Sequence, residues 1–253
     1  FPTLRLSGAA LRPEELLSMK QFLLAYHHAL HLIRKESKTP LPQLQKLVVN
    51  LIGFEELEAG IEVVIDEEGN IWDSASRELY RLRQDIRQQE RRLRSQLDQR
   101  LRDLRDKSQI PEDMTLTVRG GRLVLPVFAE HKREVPGLIH DESASGQLAY
   151  LEPQEVVDAN NALRELQYRE QREIARILRE LTADFYPFVS ELERSFRFLS
   201  TLDFVTAKAR WARKYDATTP QTSPKPSLDW HNARHPLLQK HLREEGKELV
   251  PIS

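Results

Sequence analysis

The chain has 253 residues, 40% of them hydrophobic and 30% charged, with Lys+Arg 38 against Asp+Glu 39 and a formal net charge of -1. A chain of that size can bury one or two domain cores, and its balanced charge excludes nucleic-acid binding through bulk basicity, leaving only local patches. Cysteine is absent, which removes disulfides, thiolate metal sites and cysteine nucleophiles, and the 9 glycines are few for folds built on glycine-rich turns or phosphate loops.

Mean hydropathy is -0.56, and no apolar run approaches the roughly 18 residues a spanning helix needs. No leader pattern opens the chain at Phe1, so it reads as part of a longer protein. Pro13 suits a first helical turn, and Leu16, Leu17, Met19, Phe22, Leu23, Tyr26, Leu30 and Ile33 follow at helical spacing. Pro40 and Pro42 break that helix; a short second one is expected over residues 43–51, stopped by Gly53. The alternation of Ile61, Val63 and Ile65 with Ile71-Trp72 predicts two short strands around an acidic turn. That turn lacks the ligand spacing of a calcium loop.

Asp73-Ser74-Ala75-Ser76 offers helix-capping oxygens, and residues 77–107 contain neither Pro nor Gly, predicting about 45 Å of helix at 1.5 Å per residue. Leu79, Leu82, Ile86, Leu93, Leu97, Leu101 and Leu104 form a stripe wide enough to cover only one partner helix, as in a coiled coil. Residues 161–199 supply that partner, with Pro187 marking a kink or boundary. Between the two, Gly120-Gly121 separates alternating runs and predicts a two-residue hairpin that pairs Arg119 with Arg122 and Val118 with Leu123. Leu116, Val118, Leu123 and Leu125 then share an apolar face, with the two arginines opposed on the other. Further strands are expected over 137–140 and 147–151. Residues 217–227, rich in Pro, Thr and Ser, read as a linker.

The fold expected is mainly α with a small β-rich insertion: a helical core (1–72 and 187–216), an ascending helix (73–108), a β-rich head (109–160) and a descending helix (161–186).

Catalytic motifs are missing. Gly246-Lys247 is followed by Glu248 without the earlier glycine of a phosphate loop, and no G-x-S-x-G elbow occurs. His140-Asp141 stands near Ser143 and Ser145, but neighbours on an extended strand alternate faces, so a triad is not expected. His27 and His31 share a helix face without a third ligand, so neither a metal site nor a catalytic residue is assigned. The informative feature is basic: Arg119 opposite Arg122, with Lys132 and Arg133 in the next loop. Like charges across a β-pair destabilise it unless solvent or an anion relieves them, so the tip is either a phosphate contact or a solvated end. Arg91, Arg92, Arg94, Arg100, Arg102 and Arg105 are interleaved with acids and read as a solvated helix face.

Several runs together resemble one family. Val118-Arg119-Gly120-Gly121-Arg122-Leu123-Val124-Leu125-Pro126-Val127 is similar to its R-x-G-R-x-v-x-P-V hairpin. Gly137-Leu138-Ile139-His140-Asp141-Glu142-Ser143-Ala144-Ser145-Gly146 is similar to its G-i-v-H-D-x-S-x-S-G. Leu151-Glu152-Pro153, with Val156-Val157 and Asn160-Asn161, is similar to i-E-P-x-x-v-v-x-x-N-N. Asp73-Ser74-Ala75-Ser76, the 202–208 segment and Arg234-His235-Pro236-Leu237-Leu238 also match. These residues resemble the second bacterial branch of the MutS proteins.

The resemblance implies a helical core, a long antiparallel coiled-coil lever arm with a β clamp at its tip, and then a dimeric ABC-type ATPase. Residues 217–253 would be the linker and the start of that ATPase, since the stretch ending at Val250-Pro251-Ile252-Ser253 resembles the one preceding its phosphate loop. Leu249, Val250 and Pro251 would then lie next to nucleotide, with Leu249 where repair MutS carries an adenine-stacking aromatic. ATP and magnesium are implied for the full-length protein and not for this stretch, as are a homodimer and, in most members, a nuclease domain. The chain alone is expected to be mainly monomeric and without enzyme activity. The implied partners are branched DNA, in suppression of recombination, or stalled ribosomes and their rRNA, in a cytoplasmic protein without a membrane. The rival reading is a structural coiled-coil spacer or dimerisation module.

Overall fold

A computed structural model describes residues 2–6, 8–35 and 42–252, in two compact units, Phe1–Glu193 and Arg194–Ser253. In the first unit, α1 (Pro13–Arg34) starts with a proline at its first position, and the Glu15 carboxylate accepts the Arg12 N–H at 2.9 Å. Its buried stripe, Leu16, Leu23, Tyr26, Leu30 and Ile33, packs toward α2 (Pro42–Val48) and α3 (Glu55–Val64). The expected helix break at Pro40 lies outside the described residues. The Tyr26 hydroxyl donates to the Ile52 carbonyl at 2.7 Å, and its ring lies 5.5 Å from Phe54, which meets Phe188 edge-on at 6.2 Å.

The strand expected over 61–65 is a helix. Phe54, Leu57, Ile61 and Val64 are buried at three-to-four spacing, whereas Val63, which completes the apparent alternation, is 63% exposed. Only one bridge, Ile65 with Ile71, survives of the expected pair. The acidic turn between them is closed by Asp66, whose Oδ1 accepts the N–H groups of Glu68 and Asn70.

The long helices are α4 (Arg77–Asp106), 30 residues, and α5 (Val157–Ala183), 27 residues. Ser76 caps α4, its Oγ accepting Leu79 N–H and donating to Glu173 of α5 at 2.6 Å. Arg83 bonds Glu170, Arg169 bonds Glu78, and Gln89 donates to the Ala159 carbonyl at 3.1 Å. Rising numbers on one helix thus meet falling numbers on the other: the pair is antiparallel. After α5, Pro187 sits in a short 3-10 turn, Tyr186–Phe188, and α6 (Val189–Tyr215) begins. The boundary that Pro187 announces is real, but the helix before it stops at Ala183.

The sheet contains β1 (Thr117–Arg119), β2 (Arg122–Phe128), β3 (Gly137–Glu142) and β4 (Leu148–Pro153), all antiparallel in the order β1-β2-β4-β3. α5 begins opposite the middle of α4, so the rest of the α4 stripe needs another cover. The sheet provides it: Leu93, Leu97, Leu101 and Leu104 share one core with Leu125, Val127, Leu151, Val156 and Leu163. The stripe therefore serves two partners in succession, a helix and then a sheet.

In the second unit, α6 continues from Arg194 and α7 (Pro236–Glu244) follows. Residues 217–232 are exposed and carry no helix or strand, and Ala233 bridges Ile252. Among the described residues no helix is long and apolar enough to cross a membrane.

Candidate nucleic-acid interface

Gly120 and Gly121 have φ of +56° and +75°, the two positive values that a type I′ turn demands. The register is the expected one: Arg119 opposite Arg122, Val118 opposite Leu123. Leu116, Leu123 and Leu125 join the apolar core beneath, but Val118 is 57% exposed because that core ends before the tip.

The arginine face is not open to solvent on its own. β4 adds Tyr150 and Glu152, two residues apart and so on one face. The Arg119 guanidinium lies 4.1 Å over the Tyr150 ring, and its Nε pairs with Asp141 at 3.2 Å. Arg122 Nη1 donates at 2.7 Å to Glu152, which is 0% exposed, and Nη2 donates to Asn161 at 2.6 Å. His140 Nε2 takes the other Glu152 oxygen at 2.6 Å. The repulsion between the paired arginines is thus relieved inside the sheet, by two carboxylates and a ring.

His140 and Asp141 both reach this face, contrary to strict alternation. The register between β3 and β4 slips between Ile139 and Asp141, a bulge that turns neighbouring side chains to one side. The histidine faces Glu152, the aspartate faces Arg119, and Ser143 Oγ accepts Leu148 N–H, so the three serve separate structural bonds. Asn160, 1% exposed at the start of α5, accepts Leu123 N–H and donates to the Leu123 carbonyl, both at 3.2 Å. Asn160 and Asn161 therefore tie β2 to α5, a link that no local pattern disclosed.

Lys132 donates to Glu142 at 2.8 Å. Arg133 is exposed and carries no ion pair among the described residues. Along α4, Arg83 and Arg87 hold Asp73, whose carboxyl the Arg83 hydrogen bond keeps below its usual range. Arg100 pairs with Glu155 at 3.2 Å, and Arg105 donates to the Met114 carbonyl at 3.0 Å. Arg91, Arg92, Arg94 and Arg102 stay exposed. His27 faces Glu58 at 3.7 Å and Glu55 at 3.9 Å. Leu249 and Pro251 are half-buried beside the Ala233–Ile252 bridge, and Val250 is 82% exposed. Ser253 lies outside the described residues. The edge is aliphatic, and no group of three or more His, Asp or Glu side chains that could hold a metal ion occurs among the described residues.

No family model matches the chain. It is 38% identical over 236 residues to Endonuclease MutS2 of Brevibacillus brevis, covering 93% of this chain and 30% of that protein. It is 36% identical over 248 residues to Endonuclease MutS2 of Finegoldia magna, covering 97% of this chain and 30% of that protein. Against Endonuclease MutS2 of Listeria welshimeri the identity is 40% over 203 residues, 80% of this chain and 26% of that protein. The chain thus spans about 30% or less of the length of these relatives.

Proposed function

The chain belongs to the second bacterial branch of the MutS family, and from that premise we propose that it is the nucleic-acid-handling lever and clamp of a MutS-like ATPase. α4 and α5 are the lever, and the four-stranded sheet is the clamp. The observation that carries this reading is the single core running from α4 and α5 into β2 and β4. A close-packed interior transmits displacement rather than absorbing it, so movement of the helix pair is passed to the sheet. In this reading nucleotide binding and nuclease chemistry belong to other residues of a full-length homodimer, a division supported by the lack of a phosphate-loop motif in this sequence. The substrates are branched DNA or the RNA of a stalled ribosome.

A second reading, a structural spacer, is favoured by one observation: Arg119, Arg122 and Lys132 already have carboxylate partners. A salt titration separates the two. Binding of the 253-residue chain to branched DNA, duplex DNA and ribosomes is measured from low to moderate salt. A clamp gives affinity that falls steeply with salt, by counterion release, for at least one substrate. A spacer gives no salt-dependent binding to any of them.

A further inference from the structure

The outer side of the sheet, opposite the core that Leu123, Leu125 and Leu151 share with α4, carries one guanidinium that is held in place and left open. Arg119 reaches from β1 past its neighbour β2, and its guanidinium carbon lies 4.1 Å from the centre of the Tyr150 ring on β4. Its Nε meets Asp141 of β3 at 3.2 Å, and its Nη1 donates to the Val118 carbonyl at 3.0 Å. Contacts from β1, β3 and β4 thus fix the group. Nη2 has no partner among the described residues, and the side chain is 37% exposed. The other cation–ring contacts among the described residues are Arg164 with Tyr168, Lys208 with Phe204 and Lys214 with Tyr215, at 5.1 to 5.7 Å. Each joins near neighbours on one helix, whereas the Arg119–Tyr150 contact is closer and exists only because the sheet forms.

A guanidinium is planar, weakly hydrated and stacks on π-systems. The ring takes one side of Arg119, so the exposure that remains lies on the other side and along the Nη2 edge. That is a platform for a second planar group. Its surroundings do not favour a bare anion, because Arg119, Arg122 and Lys132 each already face a carboxylate, from Asp141, Glu152 and Glu142. A nucleobase suits both properties: it offers a π-face that needs no net charge, and acceptor atoms for a free N–H. In a duplex both faces of a base are covered by its neighbours, so the base has to be out of the stack. We propose that Arg119 and Tyr150 form a seat for one unpaired nucleobase, stacked on the outward side of the guanidinium, with Nη2 donating to a base acceptor. The proposal rests on the nucleic-acid reading above and narrows its substrate to strands with unpaired bases, whether DNA or RNA.

The test measures fluorescence anisotropy against salt for the 253-residue chain, unmodified and as Arg119→Lys. The probes are a short single-stranded DNA, an RNA of the same sequence, the DNA duplex, and a strand of equal length whose sugars carry no bases. Lysine keeps the charge and loses the plane. The unmodified chain is expected to bind a base-bearing single strand about 5- to 150-fold more tightly than the baseless one, the size of one stacked base. Arg119→Lys should remove most of that advantage while leaving the duplex, the baseless strand and the salt slope nearly unchanged, because the number of cations is the same. The strand that shows the loss, DNA, RNA or both, names the source of the base. Equal binding of baseless and base-bearing strands by the unmodified chain, a comparison that needs no variant, overturns the seat. So does an Arg119→Lys chain that keeps the full preference; in both cases salt-dependent binding leaves the nucleic-acid reading standing. An unmodified chain that binds none of the four probes overturns that reading and the seat with it.

Discussion

At the scale of single residues, the two arginines across the hairpin turn have become different objects. From sequence they are an equivalent opposed pair, and replacing both should leave the fold intact. In the structure Arg122 has a side chain 16% exposed and serves a fully buried carboxylate, whereas Arg119 lies across a ring at the sheet surface. Removing Arg122 leaves Glu152 buried with only His140 and no guanidinium. Arg122→Ala is therefore expected to cost about 2–4 kcal/mol, and Arg119→Ala less than about 1 kcal/mol, in chemical denaturation. Equal costs would mean that the Glu152 carboxylate is not held by Arg122. The distinction was hidden because it depends on β4, 30 residues away along the chain from Arg122.

At the scale of elements, the helix pair is fastened at its base by a side-chain relay. The Ser76 hydroxyl caps α4 and donates to Glu173, whose other oxygen accepts from Arg176. Chiefly through the Arg176 hydrogen bond, and despite opposing burial, the Glu173 pKa is lowered to about 2 from the model-compound 4.5. A lowered carboxyl pKa stabilises the fold above the unfolded value and loses that contribution as the pH falls through the folded one. The loss therefore runs from about pH 4.5 down to about pH 2. Because Arg176 is half-exposed, the contribution at neutral pH is discounted to about 1–2 kcal/mol. Glu173→Gln should be less stable than the unmodified chain by that amount at pH 7, with the gap closing across this window. A gap that persists at pH 2 would assign the loss to packing instead.

Local signals carried this level well. Gly120-Gly121 specified the hairpin and its register, the unbroken run after Ser76 specified α4, and Pro187 specified a boundary. What failed was period read over too few residues: Ile61 and Val63 alternate by coincidence inside α3, and only Ile65, just past its end, is extended. The bulge at His140 is a register shift against the neighbouring strand β4 that no residue pattern marks, and the bonds from Asn160 reach Leu123, far away in the chain.

At the scale of the first unit as a whole, the described residues hold two apolar regions along the helix pair. One surrounds Leu23, Tyr26, Phe54 and Phe185 at the helical base. The other joins residues 93–104 of α4 to β2 and β4. Leu97 is 0% exposed in the second, and Leu23 is 0% exposed in the first. Truncating a buried leucine to alanine costs about 2–5 kcal/mol wherever it sits, so total stability alone cannot distinguish the two sites. Amide exchange can, because stability is distributed over cooperative units rather than uniformly. Leu97→Ala should accelerate exchange in β2, β4 and the second half of α4 together, leaving α1 protected. Leu23→Ala should do the reverse, releasing α1 and α3 first. That outcome would make the clamp and the upper lever one mechanical body on a separately folded base, as the transmission of movement into the sheet requires. Acceleration confined to α4 after Leu97→Ala would mean that the sheet keeps its own stability, and that the helix moves without carrying it.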